Sequence, residues 1–532
     1  MVFSKIFPKR ILVDEHGQAT NIKLLSFGRP HMRALHLSWI SFFIAFTGWF
    51  AIPPLMPTIK ADINLTPSQI SNANMTSVSA TILARIIVGP LCDRYGPRRV
   101  MAGILLYGAL TISMTGLVSS GPGLITIRFF IGMIGATFVP CQYWASKMFS
   151  ANIIGTANAL CAGWGNMGAG VSYFLIPWLY HAFALVAPPH VAWRITFVVP
   201  ACLCILMAAA DIFLGDDVPD AVAAVEKSCW KQQHHSGGGA HSDQGPGNND
   251  VEKLALPQMG AKSDSVQTED GSYDSPRLDA KMTFTTKAAT GDDDSIRVAK
   301  PVTADTASAT LLPSSPGHGP SAVVETLSLL KCPAVLILML HYACSFGLEL
   351  AVDNIIGELF HTHFELSQTM SGMLGSIFGL MNIFSRVCGG ILADYANAHI
   401  GEGNQGRMLV HFTVLVFEGL FLIGFSLSMA SLRSSIVTLV FFSYFVQAAC
   451  GTCFSIVPFV NLKHRGALYG LVGAGGSVGS IAFNYVFKVY GINYSAAFRV
   501  SGYVVLGAAM FTWLLKIQGG MLHQLVSQRL NP

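Results

Sequence analysis

Apolar runs of about 20 residues, the length of helix that crosses a bilayer core, recur along this chain at 35–58, 71–92, 100–120, 123–149, 153–180 and 193–215. A polar stretch interrupts the series. Six more runs follow at 333–360, 370–393, 409–430, 436–460, 466–490 and 495–517. The pattern predicts an all-α polytopic membrane protein with twelve transmembrane helices. It divides into a leader 1–34, a six-helix half 35–215, a central loop 216–325, a second six-helix half 326–517 and a tail 518–532. The first run begins near Leu35, after polar and basic sequence, and reads as a retained first span rather than a cleaved signal peptide.

Composition sharpens the picture. The 532 residues are 52% apolar and only 12% charged, about half the charged fraction of a soluble protein. The central loop holds 17 acidic and 9 basic side chains, which leaves 24 Lys/Arg against 12 Asp/Glu elsewhere. A soluble enzyme, a nucleic-acid binder and a disulfide-stapled secreted domain all fit this distribution poorly. The eleven cysteines include one CxxC spacing, Cys450–Cys453, inside an apolar run, and most of the others also lie in apolar runs as small buried thiols. Basic residues gather in the leader (Lys5, Lys9, Arg10, Lys23, Arg29, Arg33), after the second span (Arg94, Arg98, Arg99) and after the tenth (Lys463, Arg465). The positive-inside rule then sets both termini and the central loop in the cytoplasm. The loop is rich in Gly, Ser, Asp, Thr and Pro, too poor in large apolar residues to repay ordering, and is expected to be disordered. His234 and His235 sit in its Gly-rich part without the partners of a metal site, and its many Ser and Thr leave room for kinases without singling out one position. No cofactor or metal is expected.

An internal repeat is the strongest signal. Ala84-Arg85-Ile-Ile-Val-Gly89-Pro-Leu-Cys-Asp93 in the second span matches Ser385-Arg386-Val-Cys-Gly-Gly390-Ile-Leu-Ala-Asp394 in the eighth, with arginine, glycine and aspartate at the same spacing. Gly135-Ala-Thr-Phe138 echoes Gly451-Thr-Cys-Phe454, and Gly165-Asn166-Met-Gly168 echoes Gly476-Ser477-Val-Gly479. Six helices, a gap and six repeated helices is the organisation of a major facilitator transporter, a fold of two pseudo-symmetric six-helix halves. Eight residues of helix is about 12 Å, so Arg85 and Arg386 lie well inside the membrane, where a guanidinium costs several kcal/mol. One account pairs each arginine with Glu349, Asp353 or Glu418, or with backbone carbonyls. The other has both forks facing one cavity and binding a flat oxyanion such as carboxylate or nitrate. Arg128, nearer the end of its span, fits snorkelling or a carbonyl contact.

Glycine-rich runs, Gly163-Trp-Gly165-Asn166-Met-Gly168 and Gly473-Ala-Gly475-Gly476-Ser477-Val-Gly479, allow close helix packing. Packing alone does not account for Asn166, whose amide has four hydrogen-bonding positions to satisfy. Tyr342 and Phe346 share a face of the seventh helix, and Glu349 follows on roughly that face. A carboxyl near two arginines can take up a proton reversibly, which makes Glu349 the proton-coupling candidate. A structural role as an arginine's partner is the alternative.

Gly89-Pro-Leu-Cys-Asp93-Arg94-Tyr-Gly96-Pro-Arg98-Arg99 resembles the gating motif of the major facilitator family, with Asp394 at the matching point of the second half. The runs around Asn166 and Ser477 look like the two signatures of the nitrate/nitrite porter family, most like its eukaryotic, fungal-type members. The resemblance implies that Arg85 and Arg386 grip nitrate from opposite halves. It further implies that Asn166 donates a hydrogen bond, that Phe138, Tyr342 and Phe346 sandwich the anion, and that Gly163, Gly165, Gly168, Gly473, Gly476 and Gly479 belong to the signatures. Ser477 stands where the second signature usually has asparagine, which leaves nitrate-versus-nitrite preference open. The function so implied is high-affinity nitrate import across the plasma membrane by proton symport, with nitrate, nitrite, protons and lipid as partners and an accessory subunit undecided. A nitrite-selective porter, a nitrate/nitrite exchanger and a sensor signalling through the central loop are the alternatives. The chain has no nucleophile–base pair or cofactor motif that would point to an enzyme.

Overall fold

The computed structural model describes residues 8, 10–219, 297–298, 322–400, 403–522 and 524. Almost all of the acidic insert, with His234 and His235, and most of the C-terminal tail therefore lie outside the described residues. Eleven helical segments among those described are long and apolar enough to cross a membrane: His31–Ile63, Pro67–Tyr95, Pro97–Leu117, Gly121–Met148, Pro189–Leu214, Pro333–His363, Met370–His399, Gln405–Ser428, Leu432–Phe459, Arg465–Tyr490 and Tyr494–Leu514. Between the fourth and the fifth of these lies a 31-residue helix, Ile154–Ala184, whose apolar sequence is diluted by Asn158, Gly163, Gly165, Asn166, Gly168 and Gly170. These twelve are numbered below as spans one to twelve. Helices suit a membrane because each satisfies its own backbone polar groups.

Helix starts follow local chemistry. Thr66 and Gln69 form a reciprocal capping box at the second span, and Ser120, Ser367 and Asn493 cap the starts of the fourth, eighth and twelfth. The fifth and eleventh spans have no such cap of their own, and what replaces it is described below.

The halves meet along two matched seams, the second span against the eleventh and the eighth against the fifth. Glycine permits the contact. A Cβ added at Gly89 would come 2.7 Å from the Gly466 carbonyl oxygen, and one at Gly390 would come 2.5 Å from that of Gly155. Large aromatics fill the first half's centre: Phe42, Phe46 and Trp49 stack edge to face and continue onto Phe138. The leader is tied in as well. Ala19 donates to the Met148 carbonyl and accepts from Ser150, and Arg29 pairs with Asp216. Its polar composition gave no hint of that docking.

Candidate anion-binding site

Four helices change their winding where the repeat motifs lie. The fourth span passes through a 3-10 turn, Met133–Thr137, just before Phe138. The seventh contains a π turn, Ala343–Gly347, between Tyr342 and Leu348. The eighth has a 3-10 turn, Met381–Ile383, ending just before Arg386. The tenth loosens at Val457–Phe459, just beyond Phe454. Such breaks redirect side chains and free carbonyls, and membrane transporters keep them where they line a binding site.

Arg85 uses one of those carbonyls, that of Gly135, and one from the unbroken eleventh span, that of Gly473. Its Nε donates to the Gly135 oxygen at 3.2 Å, and Nη1 donates to the Gly473 oxygen at 2.5 Å and the Ser477 hydroxyl at 3.2 Å. Arg386 is held by side chains instead. Nε donates to Asn382 Oδ1 at 3.0 Å, and Nη2 pairs with Glu349 Oε2 at 2.6 Å. Both arginines are fully buried, yet each keeps one nitrogen, Arg85 Nη2 and Arg386 Nη1, with no hydrogen-bond partner among the described residues. Their guanidinium carbons sit over the same ring, 5.2 and 5.8 Å from the centroid of Phe346. The repeat arginines therefore meet at one aromatic ring at the join of the halves, Arg85 with backbone-carbonyl partners and Arg386 with a carboxylate partner.

The aromatic residues form one stack. Tyr342 and Phe346 lie parallel at 5.0 Å, Phe138 stacks on both at 5.9 and 6.3 Å, and Phe454 meets Phe138 and Tyr342 edge-on. The π turn brings these two rings into register. Gly476 makes room for them: a Cβ there would fall 2.7 Å from Tyr342 and 2.9 Å from Phe346. Gly473 lies against the Arg85 stem, Gly163 against the Asn382 carbonyl, Gly165 against Phe42, Gly168 against the Phe43 carbonyl and Gly479 against the Ala343 carbonyl. All six signature glycines are thus points of close approach. Asn166 Nδ2 and the Tyr342 hydroxyl, both buried, also have no partner among the described residues. Together with the two arginine nitrogens they make four uncommitted donors, the complement of an oxyanion that accepts through several oxygens.

Arg128 binds the Trp49 carbonyl and Asn74 Oδ1 near the end of its span and stands apart from this group.

At the motif-bearing end of the bundle the two repeat aspartates cap helices of the opposite half. Asp93 accepts from the backbone nitrogens of Gly466 and Ala467, both at 3.0 Å, at the start of the eleventh span. Asp394 accepts from Gly155 and Thr156 nitrogens at 3.2 and 2.6 Å, and from the Thr156 hydroxyl, at the start of the fifth; it also pairs with Arg407. A carboxylate on exposed helix N–H groups is a favourable charge–dipole contact, and these reciprocal contacts join the two halves at that end. Of the motif arginines, Arg98 binds Asp217 and the Gly215 carbonyl within its own half, while Arg94 and Arg99 are exposed. Gly96 has φ +82°, and a Cβ there would strike Asp217.

Sequence reasoning missed Asn382, which bridges Glu349 Oε1 and Arg386 Nε. Its signal was an amide one helical turn before the arginine in an otherwise apolar run. Cys450, taken only as a small buried thiol, lies 3.4 Å from Glu349 Oε2.

Comparison with known proteins places the chain in a family. Residues 38–484 match the Major Facilitator Superfamily. High affinity nitrate transporter 2.5 of Arabidopsis thaliana is 33% identical over 476 residues, covering 89% of this chain and 77% of the plant protein. Nitrate transporter 2.1 of Chlamydomonas reinhardtii is 34% identical, covering 88% of this chain and 70% of its own length. The nitrate/nitrite transporter NrtP of Nostoc punctiforme is 25% identical, covering 88% and 89%. Among solved structures, the proton:xylose symporter XylE superposes with a TM-score of 0.58 at 11% identity over 93% of this chain and 98% of that one, a likeness of fold alone. With twelve spans in two repeated halves, two buried arginines at one aromatic stack, and full-length relatives of this kind, the chain belongs to the nitrate/nitrite porter family of the Major Facilitator Superfamily.

Proposed function

We propose that this protein imports nitrate across the plasma membrane by proton symport and alternating access, with its termini and central loop in the cytoplasm. The observation that carries the reading is a set of uncommitted buried donors: Arg85 Nη2, Arg386 Nη1 and the Tyr342 hydroxyl around stacked rings at the join of the halves, with Asn166 Nδ2 on the fifth span. Nitrate is planar, carries one charge and offers acceptors on three oxygens. It can lie flat between Phe138 and the Tyr342–Phe346 stack while two planar forks approach its edges. Nitrite offers fewer acceptors to the same donors, and the name of the Nostoc relative supports it as a second substrate.

Glu349 gives the site a link to protons. As a carboxylate it occupies one edge of Arg386; once protonated it releases that edge for the anion. Nitrate and a proton on Glu349 therefore favour each other. Entry of one nitrate alone opposes a negative-inside potential by about 2.3 kcal/mol per 100 mV. One proton only cancels that, so uptake driven by the potential needs a second. Kinases acting on the central loop are compatible with its Ser/Thr content.

The test is labelled nitrate uptake with voltage-clamped current in oocytes expressing the full chain, at external pH of about 5.5 and about 8, a range across which an ordinary histidine changes charge. Acid-dependent uptake with inward current, abolished in Arg386→Lys, is the expected result. Uptake that requires preloaded nitrite and ignores pH means an exchanger, and no uptake removes the reading.

A further inference from the structure

Close behind the aromatic stack, on the seventh and ninth spans, lies a second buried polar group that the anion site does not use. His341 precedes Tyr342 in the chain, and His411 faces it from the ninth span. Both rings are completely buried, their centroids 5.1 Å apart. His341 Nε2 lies 3.0 Å from the Ala508 carbonyl, His411 Nε2 lies 3.2 Å from His341 Nδ1, and His411 Nδ1 lies 2.8 Å from the Thr452 hydroxyl. That hydroxyl is also 3.0 Å from the Ala449 carbonyl.

The hydrogen positions follow from the partners. A carbonyl only accepts, so His341 carries its hydrogen on Nε2, which leaves Nδ1 bare as an acceptor for His411 Nε2–H. His411 Nδ1 then has two complete arrangements. Bare, it accepts from the Thr452 hydroxyl. Protonated, it donates to the Thr452 oxygen, whose hydrogen swings to the Ala449 carbonyl. Every ring nitrogen and the hydroxyl are satisfied either way, so one proton can be gained or lost without stranding a buried polar group, the usual penalty of such a change. A pair serving packing alone needs only one of these states.

We propose that the His341–His411 pair, wired through Thr452, is a second proton-binding site of this carrier, alongside Glu349. It rests on the reading of the chain as a proton-coupled nitrate importer. Its connection to the anion is short. His341 adjoins Tyr342, its carbonyl accepts from Ser345 inside the π turn, and Thr452 lies between Gly451, packed on the Arg386 carbonyl, and Phe454 of the aromatic stack. An anion between the arginines favours positive charge on the pair, and by reciprocity the charged pair favours the anion.

Apart from Glu418, the titratable groups near the pair are thiols, a phenol or charges already paired. The ninth span adds Arg407, committed to Asp394, and Glu418, two turns beyond His411, with neither oxygen bonded among the described residues. The seventh adds Tyr342, Cys344 and Glu349, the last committed to Arg386, and the tenth adds Cys450 and Cys453. The eighth contributes Arg386 and Asp394, already paired. The eleventh has no ionisable side chain between Gly470 and Asn484, nor the twelfth between Val504 and Leu514.

The experiment measures labelled nitrate and charge in the same clamped oocyte. Two protons per nitrate carry about one net positive charge inward per anion. In His411→Gln, which keeps an N–H for His341 but cannot be charged, nitrate flux persists at acid pH while the charge-to-nitrate ratio falls towards zero. An unchanged ratio in that variant, beside a wild type that carries nitrate with inward current, overturns the second site alone. A wild type that carries nitrate without current overturns it too. A wild type that carries no nitrate overturns the transport reading and this site with it. Should His411→Gln not reach the cell surface, Thr452→Val, which removes the swinging hydroxyl, is expected to lose the ratio, and Thr452→Ser to restore it. Thr452→Val with the wild-type ratio overturns the proposal.

Discussion

Arg85 and Arg386 are equivalent in the repeat but not in their surroundings. Arg85 leans on two backbone carbonyls and a hydroxyl, which leave its charge uncompensated, whereas Arg386 is matched by a carboxylate at 2.6 Å. The spacing of arginine, glycine and aspartate made both residues legible, because nothing else in those helices explains a buried cation. It could not reveal the asymmetry, since Glu349 comes from another helix and Asn382 reaches Arg386 from within a 3-10 turn. The asymmetry makes a prediction. On the proposed reading nitrate and Glu349 share Arg386, and nitrate should bind better as pH falls, because a protonated Glu349 no longer competes. Glu349→Gln imitates the protonated acid at every pH. Its KM for nitrate at alkaline pH should fall to the wild-type acid value, a difference of about tenfold for each 1.4 kcal/mol of competition removed. Loss of one partner of a buried ion pair also costs about 3 kcal/mol of stability, so KM is to be measured alongside the thermal transition of the purified protein. A pH-dependent KM of wild-type size in Glu349→Gln removes the competition argument.

At the scale of the helix, hydropathy located the spans but not their interruptions. The apolar runs match the helices to within a few residues, whereas the 3-10 turns before Phe138 and Arg386 and the π turn after Tyr342 have no signature in composition. These turns are held by what packs against them. The π turn in the seventh span lies on the eleventh where Gly347, Gly476 and Gly479 let the backbones touch. Glycine spacing was readable as close packing, but which rings the space admits was not. Gly476→Ala tests this arrangement. Its Cβ must displace the Tyr342 and Phe346 rings, an overpacking cost of about 1–3 kcal/mol, and it moves two walls of the anion site. Nitrate uptake should fall by at least about tenfold with surface expression retained. Gly424→Ala on the ninth span meets nothing within 4 Å and serves as the control, with uptake unchanged. Equal uptake by the two variants would mean that the aromatic stack does not shape the site.

For the whole molecule, the twofold repeat was the most legible property of all, and its consequence at the motif-bearing end was the least. Asp93 and Asp394 could be matched by spacing, but that each caps a helix of the other half is a contact between distant segments. It leaves only a negative trace in the sequence, the lack of any capping side chain at the starts of the fifth and eleventh spans. In this structure the capped helix starts join the halves at the motif-bearing end. Alternating access requires a second state in which both caps break. A cap contributes about 0.5–2 kcal/mol, so removing both shifts the balance between states by roughly five- to several-hundredfold. Asp394 also holds Arg407, which makes its loss the more costly of the two. The prediction is directional. In Asp93→Asn, and more so in Asp93→Asn with Asp394→Asn, the ends of the halves that carry Arg99 and Lys463 should separate. Spin labels at these two exposed positions, with accessible native cysteines replaced, should report a longer and broader distance distribution than in the parent. Nitrate should pull that distribution back, because an anion bridging Arg85 and Arg386 joins the halves independently of the caps. If the double variant keeps the parent distribution, the caps are not what holds the halves together at that end, and the interdigitated glycine seams at Gly89–Gly466 and Gly390–Gly155 must do so instead.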